Sequence, residues 1–172
     1  MDTNAAMGDD KIKTTSQPIT LGWREWIELP ILGISHIKAK VDTGARTSAL
    51  HAFHVEPFMF DSEQWVRFSI HPNQRDSETI VECEAAVVDQ RVVRDSGGHE
   101  ELRYVIRTEV RIGANVANTE MTLTNRDDMR FRVLLGRTLL REKFLVDSGK
   151  SYLMGRRVKK KRGKLDRLSE EE

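Results

Sequence analysis

Ala39–Leu50 reads Ala-Lys-Val-Asp-Thr-Gly-Ala-Arg-Thr-Ser-Ala-Leu. Apolar residues alternate up to Val41, as in a strand, and an Asp-Thr-Gly-Ala tetrapeptide beginning at Asp42 then interrupts the alternation. Gly44 can adopt a positive φ, so the tetrapeptide predicts a turn at the end of that strand. A carboxylate at the end of a buried strand is costly unless it is hydrogen-bonded or used. Asp42 is therefore either a residue that caps the turn or a functional carboxylate.

A second segment, Phe131–Leu140, carries an apolar strand that runs into Gly136 and then into a short helical turn. Together the two segments resemble the retropepsin-like aspartic peptidases, the single-lobed relatives of pepsin. More narrowly, the spread of motifs resembles a bacterial branch often labelled "ATP-dependent zinc protease", encoded near ribosomal-protein glutamate ligases. The resemblance covers Leu21–Leu153, and it depends on both motifs being present in the same order.

This resemblance implies a fold and a set of roles. The implied fold is all-β, a closed retropepsin-like (acid protease) β-barrel with one short helix. Asp42 would be the catalytic residue, and the later strand would thread behind the Asp loop and hold it. The residues implied to support the active site are Thr43, Gly44, Ala45, Leu134, Leu135 and Gly136.

The rest of the chain agrees with an all-β fold, because short strands recur and helical periodicity is nearly absent. The clearest strand is Leu102–Ile112, in which Leu102 and every second residue after it are predicted to face one way. The chain is long enough for one domain with a core, which we place at 19–155. The polar segment 1–18 is predicted to be disordered, and 156–172 is predicted to be a charged, solvated tail.

Peptide hydrolysis by this chemistry needs two carboxyl groups. One activates the attacking water while the other donates a proton to the carbonyl oxygen, as in the aspartic proteases that serve as the standard example. One loop per chain therefore predicts a two-fold homodimer in which each Asp42 meets its mate and Thr43 braces the pair. A second Asp-Ser-Gly sequence begins at Asp147, but too little chain follows it for another lobe. It instead predicts a turn before a final strand at Ser151–Met154.

A flap over the substrate is expected between the two motifs. The paired glycines Gly97 and Gly98 suit the tip of a mobile hairpin within Arg91–Glu101, although an ordinary loop is an equal alternative. Arg103 and Tyr104, just beyond that segment, are candidates for lining the substrate groove.

The position after the Asp-Thr-Gly-Ala loop departs from the resembled family. Viral members commonly carry an acidic residue there, which pairs with the Arg of the Gly-Arg segment. This chain has Arg46 at that position and Arg137 in the Gly-Arg segment, so the same salt bridge cannot form. One interpretation is that both arginines, with Arg103, present positive charge to acidic or glutamate-rich peptides. The alternative is that Arg46 lies in solvent or pairs with a nearby acid such as Glu142.

Composition narrows the remaining function classes. The formal net charge of +1 disfavours a nucleic-acid binder driven by overall electrostatics, and the basic tail leaves a weak ribosome contact as an alternative. A single cysteine, Cys83, cannot form an internal disulfide and fits a reducing compartment. Neither a signal-peptide pattern nor a membrane-length apolar run is present, so the predicted location is the cytoplasm.

No cofactor is predicted. A His-Glu-x-x-His helix, paired cysteines and a phosphate-binding loop are missing from the sequence, so zinc protease and ATPase activities are disfavoured. The predicted partner is a peptide or protein substrate, and the leading function is a homodimeric aspartic endopeptidase. The alternative is a non-catalytic retropepsin-like module that binds acidic peptides or a ribosomal partner.

Overall fold

The structure, a computed structural model, describes residues 17–126 and 129–155. The predicted disordered segment 1–18 lies outside these residues except for its last two positions, and the predicted tail 156–172 lies wholly outside them. In chain order the elements are β1 (Ile19–Gly22), β2 (Arg24–Leu29), a 3₁₀ turn (Pro30–Leu32), β3 (Ile34–Val41), β4 (Ser48–His51), β5 (Phe53–Phe60), β6 (Glu63–Ile70), β7 (Val81–Arg94), β8 (Glu100–Ile112), β9 (Asn115–Thr124), β10 (Val133–Leu135), α1 (Arg137–Leu140) and β11 (Phe144–Asp147).

Nine strands form one sheet in the order β2-β3-β10-β4-β9-β8-β7-β6-β5. Strand β8 also pairs with β2, through Glu28 and Arg111, so the six strands from β2 to β8 return on themselves as a ring. The predicted all-β fold is confirmed. In place of the predicted closed barrel the structure has a ring of strands, which is closed by a single residue pair between β2 and β8. Within the described residues α1 is the only α-helix, and no helix there is long and apolar enough to span a membrane.

The interior of the ring is an apolar core. Alternate residues of β2 and β3 point into it, and Ile27 and Ile37 are almost completely buried. Leu50 from β4 and Met121 from β9 meet them from the other side of the ring. Burying each side chain of this size contributes about 1.5–3 kcal/mol relative to exposure, so the ring is a rigid base for the loops at its rim.

Strand β8 changes its buried face part-way along. The predicted alternation holds, and even-numbered residues are buried from 106 to 112. Towards the start of the strand, however, Leu102 is 62% exposed while Arg103 is buried. The register of the partner strand β7 shifts opposite this point, between Val87 and Asp89. On the hairpin side of the shift the odd-numbered residues Arg103 and Val105 of β8 are therefore the buried ones.

The C-terminal segment differs from the prediction. Strand β11 pairs in parallel with β1 as a separate two-stranded sheet. Asp147 then forms the predicted turn, since its Oδ1 accepts the Gly149 N–H at 3.0 Å. The predicted strand at Ser151–Met154 is wrong. These residues form a turn that is bound to β2 by the buried carboxylate of Glu25, which accepts two of their backbone N–H groups.

Candidate active site

Asp42 lies in the turn that follows β3. Its backbone N–H donates to the Leu135 carbonyl of β10 at 2.9 Å. Its carboxylate oxygen Oδ1 accepts the N–H groups of Gly44 at 3.0 Å and Ala45 at 3.2 Å. The other oxygen, Oδ2, makes no hydrogen bond within the described residues, and the side chain is half-buried. The loop thus fixes one carboxylate oxygen and leaves the second available for chemistry.

Strand β10 lies behind this loop, parallel to β3 and antiparallel to β4. The N–H of Gly136 donates to the buried Ser48 Oγ at 3.0 Å, which joins the end of β10 to the start of β4. A Cβ on Gly136 would lie 2.6 Å from the Thr47 carbonyl carbon, a distance at which atoms overlap. Glycine is therefore required here, and Leu135 beside it is fully buried. The Leu-Leu-Gly strand occupies the place behind the Asp loop that the family resemblance implies.

Arg137 holds the loop from the outside. Its Nη1 donates to the carbonyl oxygens of Thr43 at 3.1 Å and Gly44 at 3.0 Å. Arg137 therefore faces the loop backbone, and it is not among the residues that line the neighbouring cavity. Arg46 does line that cavity, and within the described residues its side chain makes neither a hydrogen bond nor an ion pair, including to Glu142. Thr43 is exposed.

A cavity of about 820 Å³ opens beside Asp42. Its volume falls within the range of about 300–1,000 Å³ that is typical of ligand sites. The β7–β8 hairpin, here called the flap hairpin (residues 89–105), contributes seven of the residues that line it. The residues that line it are Asp42, Gly44, Ala45, Arg46, Thr47, Ala49, Arg91, Val92, Val93, Arg94, Asp95, Ser96, Arg103, Glu120, Thr122, Arg126, Leu134 and Thr138.

The flap hairpin turns at the predicted glycines. Asp95 N–H donates to the His99 carbonyl at 2.9 Å, and His99 N–H donates to Asp95 Oδ1 at 3.0 Å. These contacts close the tip around Gly97 and Gly98, and Gly98 has a φ of +85°, which favours glycine. The His99 N–H, with smaller contributions from the Gly97 N–H and the charge of Arg126, lowers the pKa of the Asp95 carboxyl. The residues beside the tip, rather than the glycines themselves, line the cavity.

The two residues proposed to follow the flap separate onto opposite faces of β8. Arg103 is buried and lines the cavity, where its Nε donates to Glu101 Oε2 at 2.7 Å. Tyr104 does not line the cavity and packs partly buried against the hydrophobic core. Because neighbouring residues of a strand point to opposite sides, only one of such a pair can face the groove.

Charge in the cavity is predominantly positive. Five arginines and three acids line it, namely Arg46, Arg91, Arg94, Arg103 and Arg126 against Asp42, Asp95 and Glu120. The Arg91–Glu120 ion pair, at 2.7 Å, lowers the pKa of the Glu120 carboxyl and raises that of the Arg91 guanidinium. Sequence reasoning missed both residues, because Arg91 lies on β7 and Glu120 on β9, and only the folded sheet brings these two strands together at the cavity. In residues 17–126 and 129–155 no group of three or more His, Cys, Asp or Glu side chains is placed to hold a metal ion.

A family model described as RimB-like, retropepsin-like aspartic endopeptidase RimB, matches residues 20–157. The chain belongs to this family. The match includes both the Asp loop and the Leu-Leu-Gly strand, the two parts of this RimB-like protein that meet at the cavity. The suspected retropepsin-like family is therefore confirmed.

Two curated proteins, each longer than this chain, contain a region that is similar to it. A protein of Shewanella pealeana named probable alpha-L-glutamate ligase is 46% identical over 135 residues, which are 78% of this chain and 30% of that protein. One of the same name from Desulfotalea psychrophila is 42% identical over 144 residues, or 84% of this chain and 31% of that protein. The chain thus spans about 30% of the length of these curated relatives.

A crystal structure of a Legionella pneumophila protein of unknown function has the same fold. It superposes with a TM-score of 0.67 at 22% identity and covers 80% of this chain and 99% of the other. This likeness concerns the fold alone.

Proposed function

We propose that this chain is an aspartic-type endopeptidase that works as a homodimer with one Asp-Thr-Gly-Ala loop per subunit. One observation carries the proposal. The Asp42 carboxylate stands at an open cavity with Oδ1 fixed by two backbone N–H groups and Oδ2 unpaired among the described residues. In the dimer one Asp42 accepts a proton from the attacking water, and its mate donates a proton to the carbonyl oxygen of the scissile bond.

The other acids of the cavity support a second copy of the chain as the source of the proton donor. A general acid must be protonated near neutral pH. The pKa of Asp95 is lowered by the His99 N–H, and that of Glu120 is lowered by Arg91, which disfavours the protonated form of both carboxyls. Each is therefore a poor donor of the proton that the carbonyl oxygen of the scissile bond receives. The exposed hydroxyl of Thr43 is then free to brace the pair of loops across the two-fold axis.

The proposed substrates are acidic or glutamate-rich peptides in the cytoplasm. The cavity carries an excess of arginine, and Arg46 offers a guanidinium that no described residue occupies. Guanidinium groups bind carboxylates through paired hydrogen bonds, which favours glutamate over glutamine in such a site. The curated relatives, which are named for a glutamate ligase, support the same substrate chemistry.

A second candidate is a non-catalytic module that binds acidic peptides. The curated relatives favour it, because they are named ligases and this chain matches only about 30% of their length. The two candidates differ in whether Asp42 breaks a bond.

The Asp42→Asn variant separates them. Glutamate-rich peptides are incubated with wild-type protein and with the variant, and cleavage is followed by mass spectrometry. We expect cleavage by the wild type and none by the variant. Asp147→Asn is the matched control, because Asp147 forms the same kind of turn, with Oδ1 3.0 Å from the Gly149 nitrogen, outside the cavity. Cleavage that survives Asp42→Asn refutes the aspartic mechanism, and binding without cleavage by wild type favours the module.

The homodimer is tested by mixing. Analytical ultracentrifugation measures the dimer. A constant amount of wild type is then mixed with an equal amount of Asp42→Asn protein, and the two proteins are left to exchange subunits. If one dyad needs a loop from each subunit, only about a quarter of the dimers keep two wild-type loops, and activity falls to about half. Activity that is unchanged by the added variant contradicts a shared site.

A further inference from the structure

Two arginines stand directly opposite each other on the inner, cavity-facing side of the flap hairpin. Arg91 on β7 is the register partner of Arg103 on β8, and both line the cavity. Like charges at directly opposed positions of an antiparallel pair destabilise a sheet. The arrangement therefore needs compensating anions, and the protein supplies one carboxylate to Arg103 and two to Arg91.

The three compensating ion pairs differ in where the carboxylate comes from. Arg103 binds Glu101, which lies two residues away on the same strand. Arg91 binds Asp89 of its own strand and also Glu120 of β9, both at 2.7 Å. The Arg91–Glu120 contact therefore joins the flap hairpin to a strand of the ring, along the wall of the cavity.

The Arg91–Glu120 pair is accessible to an incoming anion. The side chains of Arg91 and Glu120 are 36% and 30% exposed, whereas that of Arg103 is only 9% exposed. Glu120 also has a second cationic partner, Arg107, at 3.3 Å, and Arg107 is its register partner on β8. If the Glu120–Arg91 ion pair broke, the Glu120 carboxylate would still be paired with Arg107.

We propose that Arg91 is a carboxylate-binding subsite and that Glu120 occupies it until an acidic substrate side chain takes its place. The inference rests on the proposed function, which it extends by naming the group that competes with the substrate. The exchange replaces one guanidinium–carboxylate pair by another, so it costs little for an acidic side chain. A neutral side chain cannot replace the lost ion pair. Glu120 thereby weakens the binding of acidic peptides, which must displace it, and leaves the binding of neutral peptides unchanged.

The test compares two peptides of equal length, one rich in glutamate and one with glutamine at the same positions. Binding is measured by fluorescence anisotropy to full-length protein carrying Asp42→Asn, so that it does not depend on cleavage. We expect that adding Glu120→Gln tightens binding of the glutamate peptide by about two- to fivefold and leaves the glutamine peptide unchanged. The gain should shrink as salt is raised, because the charge of Arg91, whose Nε still binds Asp89, is screened.

Further variants isolate the charge on Arg91. Arg91→Gln should weaken the glutamate peptide alone, and Arg91→Lys, which keeps the charge but loses the planar fork, should give an intermediate affinity. Arg67→Gln and Glu84→Gln serve as controls, because that ion pair also joins neighbouring strands but lies outside the cavity. Thermal unfolding of each variant confirms that it is folded.

The outcomes are distinct. If the glutamate peptide binds the Glu120→Gln protein no more tightly than the protein with Glu120, then Glu120 has only a structural role and the proposed subsite is refuted. Glutamate-specific gains in a protein whose wild type cleaves no peptide would support the subsite and reject the endopeptidase. Cleavage by the wild type with no effect of either Glu120→Gln or Arg91→Gln would reject the subsite and retain the endopeptidase.

Discussion

Gly136 approaches Thr47 so closely that a Cβ added to Gly136 would lie 2.6 Å from the Thr47 carbonyl carbon and 2.8 Å from its oxygen. Both neighbours are backbone atoms, which cannot move aside without displacing β4. The same glycine donates its N–H to Ser48 Oγ at 3.0 Å. The close approach and this hydrogen bond together fix the position of β10 behind the Asp loop.

We therefore predict that Gly136→Ala lowers the free energy of unfolding by about 1–3 kcal/mol, the usual cost of forcing extra volume into a packed site. Urea denaturation measures the loss. Gly149→Ala is the matched control, since its nearest neighbour would be Asp147 Oδ1 at 3.4 Å, an ordinary contact, and its effect should stay within about 0.5 kcal/mol. Equal stabilities for the two variants would mean that β4 yields to the methyl group.

A second prediction concerns Arg137, which was considered from sequence as a substrate-binding residue. Its contacts to the Thr43 and Gly44 carbonyls favour a role in positioning the loop. We predict that Arg137→Ala lowers kcat about tenfold or more on acidic and neutral peptides alike, because a displaced carboxylate loses its alignment. Arg141→Ala, on an exposed residue just after α1, should leave kcat unchanged. A rise in KM confined to acidic peptides would instead favour the substrate-binding role.

The sequence carried enough information to predict the Asp loop and the strand behind it. Asp42, Gly44 and Gly136 are each constrained by local backbone geometry, so each leaves a recognisable residue type in the chain. The alternation of β8 was equally readable. The face that the strand buries was not, because it depends on the register shift near Val87 in a neighbouring strand.

The parts that sequence reasoning missed are contacts between residues far apart in the chain. Arg91 ends a run of three polar residues that begins at Asp89, and Glu120 stands beside an apolar residue in β9. Neither pattern is distinctive, and only the folded sheet brings the two side chains together at the cavity. Ser151–Met154 was predicted as a strand because it is partly apolar. Its conformation is set by hydrogen bonds to Glu25, more than a hundred residues earlier, and no local pattern encodes that partner.

A third prediction concerns pH. Burial, and secondarily the charge of Glu82, raises the pKa of the Cys83 thiol from 9.0 to about 11. Between these values the unfolded chain releases the thiol proton while the folded protein retains it. The unfolded state is therefore favoured, and the contribution of Cys83 to stability falls as pH rises through this window.

Urea denaturation of wild type and Cys83→Ala, each with reductant present, checks this dependence. The difference in their free energy of unfolding should be constant below pH 8 and should shrink towards pH 11. Because this is the only cysteine in the chain, no other thiol contributes. Parallel profiles for the two proteins across the whole range would contradict the raised pKa.

The last prediction concerns Glu25, which is fully buried. Its Oε1 accepts the N–H groups of Gly22 at 2.7 Å and Leu153 at 3.0 Å, and its Oε2 accepts that of Met154 at 3.2 Å. This carboxylate therefore binds the C-terminal segment to the first two strands. Glu25→Gln keeps the shape of the side chain, but its amide nitrogen cannot accept the Met154 N–H. Glu25→Ala removes all three acceptors.

We predict that Glu25→Gln costs about 1–3 kcal/mol of stability, the penalty of a single unsatisfied buried donor, and that Glu25→Ala costs more. Urea denaturation measures both losses, and limited proteolysis followed by mass spectrometry should show earlier cleavage within 148–155. Glu84→Gln, at an exposed ion pair, should change stability by less than about 1 kcal/mol. If residues 148–155 resist protease equally in Glu25→Ala and wild type, the carboxylate is not what holds them. The packing of Tyr152 on Trp26, whose ring centroids lie 6.3 Å apart, would then be the contact that does so.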